Sequence, residues 1–178
     1  MPAVSSELVD VVDEEDVKVG TRPLRECLEL GLLHRAVAVL VFDKAGRVLI
    51  QKRSKDKAWY PGFWTLSATG HVRSGETYAE AAERELREEA GITCELGFVS
   101  KFLDARLSRG GLTEWEYVGI FEGRHSGPAS PDGVEVETFS YVEFERLVSP
   151  APGLLLTPDA VAVAKEFVMS GVTHSGSD

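Results

Sequence analysis

The sequence has 178 residues, of which 43% are hydrophobic and 27% are charged, and its formal net charge is −10 at pH 7. This composition is typical of a globular domain that builds a sizeable core without disulfides. The negative charge argues against general binding to nucleic acids or anionic membranes, because those partners are also negatively charged. It leaves open a small anionic substrate that is held through a metal ion.

We expect one domain over residues 1–178, with frayed ends at about 1–8 and 173–178. The two cysteines, Cys27 and Cys94, are too few for a disulfide framework, so a cytoplasmic protein is expected. The first residues do not join a basic region to an apolar stretch, as a secretory signal would. The most apolar run, AVAVLVF, is too short to cross a bilayer. No membrane partner is therefore expected.

Segments rich in β-forming residues predict strands on both sides of one central helix. The predicted strand segments are 35–43, 47–53, 64–70, 93–107, 113–123 and 133–143. The sequence KAGR predicts a hairpin turn between the first two segments, and SRGG predicts a second turn. A C-terminal helix is expected to begin at Thr157-Pro158. This order predicts an α/β fold in which a mixed sheet is covered by helices on both faces.

The central helix is predicted between Thr77 and Gly91. Thr77 and Glu80 fit a capping box, and Gly91 suits the left-handed residue that follows a helix. At about 100° per residue, the helix then has three faces. The face predicted to pack on the sheet consists of Ala79, Ala82, Leu86 and Ala90. The face predicted to carry solvated ion pairs consists of Glu80 with Arg84 and Glu83 with Arg87.

The third face of this helix carries Glu85, Glu88 and Glu89. These carboxylates repel one another and lie near the negative end of the helix dipole, and the helix offers only Arg84 as a nearby cation. A divalent cation would remove both penalties, and hard carboxylate oxygens suit Mg²⁺. Periodicity alone favours a solvated acidic face. The pattern therefore raises a metal site as a question without answering it.

Residues 70–92, GHVRSGETYAEAAERELREEAGI, resemble the Nudix box, G-x5-E-x7-R-E-U-x-E-E-x-G-U with U aliphatic. The match holds at every fixed position, namely Gly70, Glu76, Arg84, Glu85, Leu86, Glu88, Glu89, Gly91 and Ile92. With ordinary residue frequencies, a chance match in one window is on the order of one in a billion. The resemblance implies a Nudix-type α/β/α sandwich with a central mixed β-sheet over most of the chain.

The resemblance also implies roles for the box residues. Nudix hydrolases generally use Mg²⁺ or Mn²⁺ to cleave a nucleoside diphosphate linked to another group, X. The implied metal ligands are Glu85, Glu88, Glu89 and the Gly70 carbonyl, and Glu88 and Glu89 are also catalytic candidates. Glu76 and Arg84 would pair and support the box. A metal suits this chemistry because it neutralises the charge of the diphosphate and lowers the pKa of a bound water.

The segments LLHRAVAVLVF, QKRSKDKAWYPGFWTLSATGHV and TEWEYVGIF are similar to type 1 isopentenyl-diphosphate isomerases and their hydrolase relatives, which share this fold. Further metal ligands implied by that resemblance are His34, His71, Glu114 and Glu116. Glu116 is in addition a catalytic candidate. Arg53 and Lys57 match a basic pair that contacts the substrate diphosphate, a role that suits guanidinium and ammonium groups.

Two residues depart from the isomerase pattern. Thr69 stands where the isomerases carry an acid/base cysteine, and the pKa of a threonine hydroxyl is too high for proton exchange with carbon. Cys27 stands where they carry another metal-ligand histidine. The Nudix box, which is typically eroded in the isomerases, is intact in this chain. These differences favour a metal-dependent hydrolase that acts on a small diphosphate.

Two other functions stay open at this point, an isopentenyl-diphosphate isomerase and a non-catalytic Nudix module that binds a nucleotide or a partner protein. Structural roles for the individual site candidates also stay open. His34 lies between apolar residues and is compatible with a core position, and His71 is compatible with a role in stabilising its loop. The basic residues around Arg53 and Lys57 are compatible with an ordinary solvated loop.

Overall fold

The computed structural model describes residues 6–57, 59–131 and 133–171. The strands in these ranges are β1 (Leu8–Val12), β2 (Lys18–Pro23), β3 (His34–Phe42), β4 (Val48–Arg53), β5 (Trp64–Thr65), β6 (Ala68–His71), β7 (Leu96–Leu103), β8 (Leu107–Arg109), β9 (Leu112–Glu114), β10 (Glu116–Arg124) and β11 (Val136–Val142). The helices are α1 (Leu24–Leu30), α2 (Tyr78–Ala90), α3 (Glu145–Val148) and α4 (Pro158–Met169). None of these four helices is long and apolar enough to cross a membrane.

Seven of the strands form one mixed sheet. Its main order is β11-β4-β3-β10-β7, and the short strands β5 and β6 pair with β4 and β3. β3 and β10 run parallel, whereas the other neighbours in the sheet are antiparallel. The predicted hairpin between β3 and β4 is confirmed by the pairing of Phe42 with Val48. The single strand predicted over 64–70 is in fact two short strands, β5 and β6.

β3 shows why helices cover both faces of the sheet. Its side chains alternate between the two faces, and all of them from Ala36 to Phe42 are buried. The residues in the core cluster with α2 are Val37, Val39 and Val41. The residues in the core cluster with α4 are Ala36, Ala38, Leu40 and Phe42. A continuous apolar strand is what a core on both faces requires, and the predicted α/β architecture with a mixed central sheet is confirmed.

Both predicted ends of the central helix α2 are confirmed. The Thr77 hydroxyl accepts a hydrogen bond from the Glu80 backbone, and the Glu80 carboxylate accepts one from the Thr77 backbone. Gly91 follows the helix with a φ of 65°. The helix approaches the sheet closely at Gly119 of β10, where a Cβ atom would lie 2.7 Å from Cδ1 of Tyr78.

Two of the predicted helix faces are wrong in detail. Ala79, in the first turn of the helix, is exposed, and Ala81 is buried in its place. The predicted pair of Glu80 with Arg84 does not form. Glu80 is engaged in the helix cap, and the buried Arg84 side chain turns to other carboxylates that are described below.

The β1–β2 hairpin and α1 precede the sheet and were not predicted from the sequence. The frayed end predicted at about residues 1–8 overlaps this hairpin, since Leu8 pairs with Pro23 in β2. Residues 1–5 and 173–178 of the predicted frayed ends lie outside the described residues. The expectation of a single domain stays a prediction.

Candidate functional site

A cleft of about 590 Å³ brings most of the predicted site residues together. Those that line it are Arg53, Lys57, Gly70, His71, Glu85, Glu88, Glu89, Glu114 and Glu116. The remaining three do not line the cleft but contact residues that do: His34 contacts Glu116, Glu76 contacts Arg73, and Arg84 contacts Glu85. One concave surface therefore carries both acidic and basic groups, as a site for an anionic ligand and a metal requires.

Strand register places His34, His71 and Glu116 next to one another. His34 begins β3 and Glu116 begins β10, and these two residues are partners in the parallel pairing of the strands. His71 ends β6 and pairs with Ala36, two residues beyond His34, so it projects from the same face of the sheet. One possible ligand atom of each residue lies within 4.8 Å of the others. Among the described residues, no other group of three or more histidine, cysteine, aspartate or glutamate side chains is this compact.

The geometry of this group fits metal ligation as well as an ion pair. Glu116 Oε1 lies 3.2 Å from His34 Nε2 and 3.0 Å from His71 Nε2. His34 is fully buried, and its Nδ1 lies 2.9 Å from the carbonyl oxygen of Leu32, so this nitrogen carries a proton. Nε2 of His34 then faces Glu116 with either a proton or a lone pair. A backbone partner of this kind is common for metal-binding histidines.

The charges in the group reinforce one another. Burial alone would raise the pKa of Glu116, but the nearby imidazoles of His34 and His71 hold the pKa well below its usual range. Burial alone would lower the pKa of His34, but Glu116 raises it. Glu114, two residues earlier, is outside the group, and burial together with the charge of Glu116 raises its pKa to about 8.

Arg84 organises the acidic side of the cleft. Its Nε and Nη2 donate to the two carboxylate oxygens of Glu76 at 2.7 and 2.9 Å. Its Nη1 donates to Glu85 at 2.6 Å and lies 3.3 Å from Glu88. Nη2 also donates to the carbonyl oxygen of His71 at 3.0 Å. The loop before α2 is thus tied to the helix through the pair that the resemblance implies.

Glu89 is buried, and one of its two carboxylate oxygens accepts hydrogen bonds. Its Oε2 accepts hydrogen bonds from Gln51 Nε2 at 2.8 Å and from the Thr69 backbone at 3.1 Å. Burial, followed by the charge of Glu85, raises the pKa of Glu89 to about 8. Oε1 makes no hydrogen bond with the described residues. This oxygen is therefore available to a cation or to water.

Glu85 and Gly70 are in close contact. A Cβ atom at residue 70 would lie 2.2 Å from Cδ of Glu85, so only glycine lets this carboxyl group reach the backbone of β6. Burial raises the pKa of Glu85. Carboxylate oxygens beside a backbone that lines the cleft suit a divalent ion with hard oxygen ligands. The residues of the box therefore fit such an ion.

The three box glutamates nevertheless do not form a compact group of ligand atoms within the described part of the chain. Glu85 and Glu88 turn to Arg84, and Glu89 turns to Gln51. The sequence presented them as one face of a helix, which fixes where their Cβ atoms point but leaves their carboxylates several rotamers. A metal ion would have to draw these oxygens together.

Arg53 and Lys57 line the cleft, as expected of a phosphate-binding pair. Arg53 Nε donates to the carbonyl oxygen of Trp59 at 3.0 Å, and its Nη groups make no hydrogen bond with the described residues. Lys57 Nζ lies 2.8 Å from a carboxylate oxygen of Glu135. Arg53 has free donors for a ligand, whereas Lys57 would have to exchange its contact with Glu135 for one.

The charged residues of the cleft that were not predicted from the sequence include Arg73, Asp104 and Asp159. Burial raises the pKa of both aspartates. Asp104 follows β7 and Asp159 lies in the first turn of α4, and no local pattern marks either of them because tertiary packing brings them to the cleft. Arg73 lies inside the box segment, where a basic residue between Gly70 and Glu76 was a visible signal.

The departures from the isomerase pattern have clear places in the structure. Thr69 lines the cleft in β6, where its backbone donates to Glu89. Cys27 is fully buried in α1 with Val9, Leu24 and Leu28, and it does not join the histidine–glutamate group. Cys27, which matches the position of an additional metal ligand in the isomerases, is thus an apolar core residue in this chain.

Comparison with known proteins agrees with the fold and the box. A sequence model of the NUDIX domain matches residues 32–165. Isopentenyl-diphosphate Delta-isomerase 1 of Aromatoleum aromaticum is 38% identical over 139 residues, which cover 78% of each chain. A protein of Pseudomonas aeruginosa named as an uncharacterized Nudix hydrolase is 32% identical over 172 residues, which cover 93% of this chain and 96% of its own.

A crystal structure of a Deinococcus radiodurans protein has the same fold, with a TM-score of 0.73 and 25% identity over 90% of this chain and 98% of its own. The family and the branch predicted from the sequence are both confirmed. The chain belongs to the Nudix family.

Proposed function

We propose that the protein is a metal-dependent hydrolase that cleaves a diphosphate linkage in a nucleoside diphosphate linked to X or in a similar small diphosphate. The observation that carries this proposal is that one cleft contains the carboxylates of an intact Nudix box together with Arg53 and Lys57. Carboxylates suit a divalent ion, and basic side chains suit phosphate oxygens. Nudix proteins generally use divalent metal ions and act on small diphosphate compounds.

Two sets of residues would hold divalent ions, Mg²⁺ or Mn²⁺ in the first instance. The set of oxygen donors is Glu85, Glu88, Glu89 and the Gly70 carbonyl, and it favours Mg²⁺. The set with nitrogen donors is His34, His71 and Glu116, with Glu114 nearby, and it favours ions that bind imidazole. A bound ion would neutralise the diphosphate charge and lower the pKa of a water molecule.

The residues of the chain would bind the substrate and accept a proton. Hydrolysis joins a water oxygen to one phosphorus and breaks the bridging P–O bond, whose electron pair leaves with the other phosphate. Oε1 of Glu89 is a suitable acceptor for the proton of that water, because its partner oxygen is fixed by two hydrogen bonds. Glu88 and Glu116 are the alternative acceptors. Arg53 and Lys57 would hold the phosphate oxygens.

A screen of purified protein against a panel of diphosphate compounds with Mg²⁺ or Mn²⁺ tests the proposal. We expect hydrolysis of at least one class, and a loss of about 100-fold or more in kcat in Glu89→Gln. Glu83→Gln is the matched control, since Glu83 is exposed on the same helix and does not line the cleft. The proposal fails if no diphosphate is hydrolysed, or if the control loses activity to the same extent.

Isomerisation of isopentenyl diphosphate is the second candidate, because His34, His71 and Glu116 form a compact group and a relative that is 38% identical is named as such an isomerase. Thr69 speaks against it, since a hydroxyl with an ordinary pKa is a poor acid for an alkene carbon. Incubation with isopentenyl diphosphate and Mg²⁺ in D₂O should give no deuterium incorporation and no dimethylallyl product. Turnover at an enzyme-like rate would make isomerisation the function.

A further inference from the structure

Arg73 is a cleft residue to which the proposed function gives no role. Its Nε donates to Glu7 Oε1 at 2.8 Å, and its Nη2 contacts the same oxygen. Nη2 also lies 3.5 Å from Glu88 Oε2. Nη1 makes no hydrogen bond with any described residue. A guanidinium with unused donors therefore lies beside a carboxylate of the box, and Glu7, Arg73 and Glu88 all line the cleft.

The backbone at Arg73 is fixed from two sides. Its N–H donates to Glu76 Oε2 at 2.9 Å, on the side of the box. On the other side it forms a β-bridge with Val9, and the next N–H, that of Ser74, donates to the Leu8 carbonyl at 2.7 Å. The N-terminal hairpin and the box loop thus hold the start of the Arg73 side chain in one place relative to Glu88.

These backbone contacts attach the loop without help from the Arg73 side chain. The side chains of Arg73 and Glu7 are 37% and 34% exposed, and ion pairs this exposed add little to stability. The same guanidinium competes with any cation that would bind Glu88. This arrangement is unfavourable for a metal site unless the guanidinium gains a new anionic partner when the metal binds.

We propose that Arg73 is a further substrate-binding residue, which takes a phosphate oxygen of the diphosphate when a metal ion binds Glu88. Nη2 would exchange Glu88 for phosphate, and Nη1 would supply a second donor, which is the geometry in which arginine binds phosphate best. Glu7 would act as a positioning residue that holds the guanidinium. The inference rests on the proposed function, and it makes the N-terminal segment, outside residues 32–165 of the family match, part of the site.

Binding of methylenediphosphonate, a diphosphate analogue that is not hydrolysed, tests this inference by calorimetry of the full chain with Mg²⁺. Arg73→Gln should raise the Kd about tenfold through loss of a charge-assisted contact. Arg73→Lys keeps the charge without the planar fork and should recover part of the affinity. Arg25→Gln is the matched control, because Arg25 pairs with Glu29 at 2.8 Å on α1 and does not line the cleft. Its Kd should stay within about twofold.

Titration with Mg²⁺ alone separates substrate binding from a structural role. Arg73→Gln should bind Mg²⁺ at least as tightly as the wild type, because the variant lacks one of the two cations, Arg73 and Arg84, that compete for Glu88. Glu7→Gln should weaken binding of the analogue by about threefold, because it leaves the guanidinium in place but holds it less firmly. Weaker binding of both Mg²⁺ and the analogue in Arg73→Gln would mean that the residue only supports the loop, and would overturn the inference.

Two further outcomes count against the inference. Unchanged analogue binding in Arg73→Gln would contradict the inference. An equal loss of analogue affinity in Arg25→Gln would mean that the effect comes from the net charge of the protein and not from a contact of Arg73. Failure of the proposed function gives a different result, in which the wild type binds the analogue in an Arg73-dependent manner but hydrolyses no diphosphate. If the wild type binds no analogue in the presence of Mg²⁺, the inference and the proposed function both fail.

Discussion

The carboxyl group of Glu85 fills the space in which a side chain at Gly70 would begin. A Cβ atom on residue 70 would lie 2.2 Å from both Cδ and Oε1 of Glu85, well inside van der Waals contact. The Glu85 carboxylate also accepts a hydrogen bond from Arg84 Nη1 at 2.6 Å. A rotamer change that moved the carboxylate away from residue 70 would break this hydrogen bond. The glycine that opens the box is therefore required by the position of a predicted metal ligand.

Gly70→Ala should weaken Mg²⁺ binding by about tenfold or more, because it displaces the carboxylate of Glu85. The displaced atoms are the far end of a flexible side chain, so the free energy of unfolding should fall by only about 1–2 kcal/mol. Gly20→Ala is the matched control, since a Cβ atom there meets no atom within 4 Å. Calorimetry and urea denaturation measure the two effects. Unchanged Mg²⁺ affinity in Gly70→Ala would mean that Glu85 is not a ligand.

The histidine–glutamate group should bind a metal independently of the box. We expect Zn²⁺, which suits imidazole, to raise the melting temperature by about 5–10 °C at a concentration 100 times its Kd. Glu116→Gln should abolish this shift relative to its own metal-free melting temperature, and Glu88→Gln should keep it. Glu114→Gln should also keep it, because Glu114 lies outside the group. An equal loss in Glu114→Gln would add that residue to the ligands, and retention of the shift in Glu116→Gln would contradict the site.

Arg84→Lys should lower the free energy of unfolding by about 3 kcal/mol. A lysine cannot reproduce the fork that holds both oxygens of Glu76, and it would remove hydrogen-bond donors from the partly buried carboxylates of Glu76 and Glu85. Arg87→Lys, at an exposed position one turn further along α2, should change stability by no more than about 0.5 kcal/mol. Urea denaturation of the two variants measures the difference. An equal decrease in the free energy of unfolding in the two variants would show that the contact between Arg84 and Glu76 does not contribute specifically to stability.

Local signals explain which parts of the fold were predictable. The ends of α2 follow from Thr77, Glu80 and Gly91, each of which acts on the backbone next to it. β3 follows from its unbroken apolar run. In contrast, α1 has seven residues, and no side chain caps its first residue after Pro23. Elements this short depend on tertiary packing, so no local pattern marks them in the sequence.

The site shows the same division between local and tertiary causes. Arg84 has a helical neighbour, Glu80, at the spacing of an ion pair, yet it pairs with Glu76 because a buried guanidinium gains more from a bidentate partner than from an exposed one. His34 looked like a core residue because its partner Glu116 is distant in the sequence. Only the parallel register of β3 and β10 brings the two together.

Asp16 joins the β1–β2 turn to the sheet and to α2. Asp16 has a φ of 61°. Its Oδ1 accepts a hydrogen bond from Arg35 Nε at 2.6 Å, and its Oδ2 accepts hydrogen bonds from the Tyr78 hydroxyl at 3.1 Å and from Lys101. Burial alone would raise the pKa of Asp16, but Lys101 and Arg35 hold the pKa below its ordinary value of 3.8. The charged carboxylate therefore stabilises the fold.

Asp16→Asn should lower the free energy of unfolding by about 2 kcal/mol at pH 7, because it removes the charge while asparagine tolerates the left-handed backbone. Glu29→Gln, which removes a carboxylate from an exposed pair with Arg25, should cost less than about 1 kcal/mol. The folded pKa of Asp16 is lower than the unfolded one. Its contribution is therefore complete above about pH 4 and is lost as the pH falls through the lowered pKa. Urea denaturation between pH 2 and 7 should show that the free energies of unfolding of the wild type and Asp16→Asn converge in acid. A difference that stays constant with pH would mean that the effect comes from the shape of the side chain and not from its charge.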